Sequence, residues 1–87
     1  MEPERQLRAL LDLVESLGIL LRRMPAGEGG SPGALVRLRD REMLFLDPAA
    51  PVADQVAVVA DALRGRPGLE ELYLPPELRE LIEGGGG

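Results

Sequence analysis

A chain of 87 residues with a formal net charge of −5 has room for one domain and one core, with a stability of roughly 4–13 kcal/mol at most. It holds no Cys, His, Lys, Thr, Asn or Trp, and all ten basic residues are arginine. That excludes disulfides, thiolate or imidazole metal sites, and most thiol, imidazole and Schiff-base catalysis, leaving carboxylates, Arg, Ser16, Ser31, Tyr73 and backbone groups for any chemistry.

The richness in Arg, Glu, Pro and Leu, with little Gln and no Asn, resembles the composition of thermophile proteins or of G+C-rich genomes. No run reaches the ~18–20 apolar residues that span a bilayer, and MEPERQLR opens acidic rather than as a basic secretory leader. A soluble, cytoplasmic protein is expected. The acidic balance disfavours nonspecific nucleic-acid binding. Charge is nevertheless uneven: residues 19–46 carry five Arg against three acids, and residues 47–87 carry eight acids against three Arg.

In chain order, Leu7, Leu10, Leu11, Val14 and Leu17 recur on one helical face and predict a first helix. Pro3 suits its first turn, Glu2 and Glu4 favour its positive end, Glu4 and Arg8 pair across one turn, and Gly18 stops it in a left-handed conformation. ILLRRM, Ile19 to Met24, predicts a short strand, and PAGEGGSPG, Pro25 to Gly33, a flexible reversal. Two strands follow, Ala34–Arg39 and Glu42–Leu46, around Asp40-Arg41. As a tight hairpin they set Leu38 across from Met43 and Val36 across from Phe45, giving one wholly apolar face. The other face pairs Arg39 with Glu42, Arg37 with Leu44 and Leu35 with Leu46. Asp-Arg is a weak tight-turn pair, so a longer loop is the alternative.

PVADQVAVVADALRG predicts a second helix with Val52, Val56, Val59 and Leu63 as its ridge and Ala53, Ala57 and Ala60 beside it. Pro51 begins it, and Arg64-Gly65-Arg66-Pro67 ends it. Leu72–Leu74 reads as an extended segment or edge strand. Pro76–Glu83 reads as a two-turn helix with Leu78, Leu81 and Ile82 inward. The layout is an α+β, two-layer domain over residues 1–83: helix, three-stranded antiparallel sheet, helix, then the short C-terminal pieces. Residues 84–87 are expected as a disordered glycine tail. Both helices are expected on the face made by Val36, Leu38, Met43 and Phe45.

That arrangement leaves Leu35, Leu44 and Leu46, interleaved with Arg37 and Arg39, as an outer face that must be covered. An apolar centre studded with arginine suits a protein interface, and a homodimer is the expected occupant. The alternative is an enzyme-like domain holding a divalent ion on Asp47, Asp54 and Asp61. Asp54 and Asp61, seven residues apart, lie ~10 Å apart on one helix face, so solvated helix charge is the better account. GEGGSPG lacks the Lys-Ser/Thr pair and the following helix of a phosphate loop. Arg22, Arg37, Arg39 and Arg41 could form a basic stripe, but without the interleaved aromatics of a nucleic-acid surface. No catalytic residue, metal or cofactor is assigned.

Two resemblances extend this reading. Gly84–Gly87 resembles the diglycine tail of ubiquitin-like sulfur carriers, though it is entered from a helix rather than a strand. Across residues 11–65, ESLGILLRR, GALVRLRDREMLFLD and PVADQVAVVADALRG are similar in order and spacing to the front half of ImmA/IrrE-type metallopeptidase domains. The resemblance implies helix, strands, then a helix bearing HExxH. Asp61, Ala62 and Gly65 stand at the positions of that motif's His, Glu and His, so the scaffold carries over and the zinc chemistry does not. The chain also looks like the small single-domain bacterial proteins of under a hundred residues.

Overall fold

The structure, a computed structural model, describes residues 2–25 and 30–84. Helix α1 (Pro3–Ser16) opens the chain, followed by strands β1 (Leu20–Arg23), β2 (Gly33–Leu38) and β3 (Arg41–Leu46). Helix α2 (Val52–Leu63), a single 3-10 turn (Leu69–Glu71) and helix α3 (Pro76–Gly84) complete it. The expected α+β class and helix positions hold. Ala26–Gly29 of the glycine-rich loop, and all but Gly84 of the tail, lie outside the described residues.

α1 ends as its glycine predicts. Gly18 adopts φ +79°; its N–H donates to Glu15 O at 3.0 Å and the Ile19 N–H donates to Val14 O at 3.1 Å, so two last-turn carbonyls are satisfied. The same hydrogen bonds turn Ile19 inward, where it is buried. Entry into α2 is equally fixed. The Asp47 Oδ1 accepts the Ala49 N–H at 2.9 Å, and the buried Gln55 amide donates to Ala50 O at 2.8 Å. A buried polar side chain thereby has its amide nitrogen hydrogen-bonded at the strand–helix junction it locks.

The sheet differs from the expected antiparallel one. Its order is β1-β3-β2, and β1 runs parallel to β3, while β2 and β3 form the antiparallel hairpin. The parallel pair is possible because β2 intervenes in the sequence, giving β1 and β3 the connection that parallel neighbours need. The hairpin pairing is also shifted by two residues, with the two-residue turn at Arg39-Asp40 rather than Asp40-Arg41: Leu38 faces Arg41, Val36 faces Met43 and Leu35 faces Leu44. Arg39 and Asp40 form the turn with no positive φ at either residue, so it is not one of the primed turns that need glycine.

The two faces of the sheet are reversed from the sequence expectation. Leu44 and Leu46 are fully buried beneath the helices, and their neighbours Leu21 and Leu35 are packed against the same core. Val36 and Leu38 instead face away, 37% and 45% exposed. Gly33 supplies a physical reason. A side chain there would meet Phe45 O at 2.5 Å and Val58 Cγ1 at 2.9 Å, so the missing Cβ lets α2 close onto the start of β2 on this side.

Leu10 and Val14 of α1, Val56, Val59, Ala60 and Leu63 of α2, and Leu78 and Ile82 of α3 fill the core above the leucines. Ala53 and Ala57, expected beside the ridge of α2, are exposed; Gln55 and the half-buried Val58 and Ala62 take the flanks. No strand forms at Leu72–Leu74, although Leu74 is buried as an anchor for the turn into α3. The Arg64 Nε donates to Ile82 O at 2.8 Å, tying the end of α2 to α3. The radius of gyration of 12.4 Å is close to the ~12 Å of a compact domain of this length.

Candidate protein-interaction surface

All three helices lie on one side of the sheet, so among the described residues no element covers the opposite face. Side chains alternate along each strand and align across paired strands. The register therefore assigns Leu20, Met43 and Val36 to one exposed row, and Arg22, Phe45 and Ala34 to the next. Leu38 and Arg41 form a third row at the hairpin end. Met24, one residue past β1, is 54% exposed, and its N–H donates to Leu46 O at 3.0 Å.

Among the described residues, the exposed large apolar side chains are Leu20, Met24, Val36, Leu38 and Tyr73. The first four belong to this face. Met43 and Phe45, on the central strand between them, are half-buried. No acidic side chain falls within these rows; Arg22 and Arg41 stand at their margins.

The residues the sequence had offered as an interface are placed differently. Leu44 and Leu46 are core, and Leu35 is half-buried against α2. The two-residue shift in pairing leaves each side chain on its expected face; what is reversed is which face meets the helices, and both are apolar enough to be mistaken for the other. Arg37 shares the inner side but lies beyond the helix layer, its side chain 77% exposed. Arg39 sits exposed in the turn. The four arginines read as a stripe are thus divided, Arg22 and Arg41 on the open face and Arg37 on the other.

The inner face ends in an ion cluster. Arg66 reaches back from beyond α2 to Glu42 through both terminal nitrogens, with its Nη1 donating to Glu42 Oε1 at 2.7 Å. Arg37 Nη2 approaches Glu42 Oε2 at 3.4 Å. The Arg66 guanidinium holds the Glu42 carboxyl below the usual carboxylate range, with Arg37 adding to the effect and partial burial opposing it. The same bonds raise the Arg66 pKa further above its already high value. A forked two-nitrogen pair with only 13% and 21% of the side chains exposed is a structural clamp between β3 and the end of α2.

The three aspartates considered for a divalent ion are not brought together. Asp47 caps its own turn, Asp54 lies in the first turn of α2, and Asp61 pairs with Arg64 at 2.7 Å. No group of three or more potential ligands exists among the described residues. Nor is any helix there long and apolar enough to cross a membrane. Asp61, Ala62 and Gly65 stand at the end of α2, where Ala62 is half-buried and Gly65 turns the chain at φ +71°. Compared with protein-family models, with curated proteins and with solved structures, the chain matches none. The description that stands is a small compact α+β domain without an obvious catalytic or metal-binding constellation among its described residues.

Proposed function

We propose that this protein is a non-enzymatic interaction module that pairs with a second copy of itself through the open face of its sheet. The observation that supports this is the gathering of Leu20, Met24, Val36 and Leu38, with Met43 and Phe45 between them, on a layer that none of the described residues covers. Water is excluded from such a surface most simply by a second sheet laid against it, as in two-sheet packings. The aliphatic centre, arginine margin and missing carboxylates match the composition of interface cores.

Area sets the strength. Strands of four, six and six residues at ordinary spacing make a footprint of only ~250 Å², against ~800 Å² per partner in a stable complex. The pairing is accordingly weak and exchangeable, with a dissociation constant of roughly 0.1–1 mM. Sedimentation equilibrium across that range gives a rising mean mass for the natural chain. The double substitution Leu20→Glu with Met43→Glu abolishes the rise, whereas Tyr73→Glu leaves it. A monomer throughout the range, for a chain that is folded by circular dichroism, overturns the reading.

A further inference from the structure

β2 is an edge strand, and its register tells which of its backbone groups point outward. The Asp47 N–H donates to Pro32 O at 2.9 Å, which puts that pair at a hydrogen-bonded position of the antiparallel ladder, although Pro32 has no N–H to return the second bond. Such positions recur every second residue. Ala34, Val36 and Leu38 therefore direct their N–H and C=O groups to β3, and Gly33, Leu35 and Arg37 direct theirs to the open side. Gly33 is already served: its N–H donates to Ser31 Oγ at 3.2 Å, and that hydroxyl donates to Gly33 O at 2.8 Å. Leu35 and Arg37 are left presenting a strand template.

Beside this edge runs a cleft of about 460 Å³ between β2 and the C-terminal half of α2. Leu35, Val58 and Ala62 make its apolar wall, and Arg37 stands at its outer end. The charged residues lining the cleft are Arg37, Arg64 and Arg66 against Asp61, with Glu42 just beyond it bonded to Arg66 and Arg37. The excess is positive in a chain whose net charge is −5. The other sheet edge, β1, also borders a cleft, but that one mixes Arg8 and Arg23 with Asp12 and Glu15 and selects no sign of charge.

We propose that the β2 edge is a docking site for an extended, acidic–aliphatic peptide segment, which adds to the sheet as a fourth strand. The segment's backbone exchanges hydrogen bonds with Leu35 and Arg37, the mode by which exposed edges capture peptides. Alternation then places every second side chain in the cleft. The one beside Leu35 and Val58 is aliphatic, and the one two residues away, beside Arg37, is a carboxylate. The intervening residue lies next to Val36 on the open face and is aliphatic too. A second copy's β2 fits this edge less well, because antiparallel self-pairing centred on Leu35 sets Arg37 opposite the other copy's Gly33, which offers it no carboxylate.

The probe is a fluorescein-labelled peptide, Ser-Glu-Val-Val-Val-Glu-Ser, whose palindromic order presents the same side chains in either strand direction. Fluorescence anisotropy is expected to rise saturably with protein concentration. N-methylation of the three valines should weaken binding at least about tenfold, and so should exchange of both Glu for Lys. Arg37→Gln, at an exposed position that leaves the clamp of Arg66 on Glu42 in place, should weaken it about threefold. Amide shifts in NMR titration should centre on Leu35, Arg37, Val58 and Ala62.

Absence of binding at about 1 mM protein, or equal binding of the N-methylated peptide, overturns the proposal. So do shifts confined to Leu20, Met43 and Phe45. The Leu20→Glu, Met43→Glu variant separates this site from self-pairing, since it should lose the second and keep the first.

Discussion

The two faces of this three-stranded sheet are close to equal in composition and opposite in fate. The inner one offers Leu21, Leu35, Leu44 and Leu46; the outer one offers Leu20, Val36, Leu38, Met43 and Phe45. By apolar content alone the outer face is the better core. The inner face wins because Gly33 admits α2 and because Ile19 and Leu21 extend the leucine surface onto β1. Facing is decided by how closely a helix can approach. Summed hydrophobicity decides much less.

The largest effects should come from treating the two faces alike. Leu44→Ala removes a fully buried side chain under the helices and should cost about 2–5 kcal/mol, a large part of the total stability. Leu38→Ala, at 45% exposure on the other face, should cost about 1 kcal/mol or less. Urea unfolding of the two variants measures the contrast directly, and equal losses would mean that the open face is covered in the working protein.

Backbone space gives a second, smaller contrast. Gly33→Ala sets a methyl 2.5 Å from Phe45 O and 2.9 Å from Val58 Cγ1. The first neighbour is backbone and cannot swing aside, so the strand or α2 must shift, at about 1–3 kcal/mol. Ala34→Val, one residue on and facing outward, should change stability by ~0.5 kcal/mol or less. The difference in thermal midpoint between these variants tests whether glycine seats the helix.

These contrasts also explain what could be read from the sequence. The helices were legible because Leu10 and Val14, and Val56, Val59 and Leu63, repeat at a spacing that only a helix brings to one side. Gly18 was legible because a helix stop has a chemical signature. The facing of the hairpin was not, since Leu35 and Val36 are both aliphatic and the alternation carries no sign. Pairing β1 with β3 depends on a contact across more than twenty residues, which no local pattern records. Gly33 was the available signal: a glycine beginning a strand marks a close backbone approach, whereas it reads at first as the end of a loop. The candidate surface was legible as a kind, an apolar sheet side with arginine, while its residues were the wrong set.

The two edges of β2 sharpen the comparison at the level of single N–H groups. Val36→Pro removes a donor that faces β3, and Arg37→Pro removes one that faces outward. The ring's constraint on φ is common to both, so it cancels. Their stabilities should differ by about 2 kcal/mol, with Arg37→Pro the milder, since proline is tolerated where the strand's N–H meets water. Equal losses in chemical denaturation would reverse the assignment of outward groups, and the peptide-docking edge with it.

The smallest expected effect lies where the inner face turns polar. Glu42 is opposite Arg37 and clamped by Arg66, and its carboxyl is held below its ordinary value chiefly by the Arg66 hydrogen bonds. A carboxyl whose folded pKa is depressed binds protons less readily folded than unfolded. Its stabilisation is therefore complete above the unfolded value, and is lost as pH falls through the folded one. Glu42→Gln should cost about 1 kcal/mol near neutrality, or about 5 °C in midpoint. The gap between this variant and the natural chain should shrink as pH drops from ~5 towards ~3. A gap constant with pH would mean that the clamp acts by shape rather than charge. Leu38→Glu, beside Arg41 on the open face, has no buried guanidinium to answer and should give a much shallower dependence.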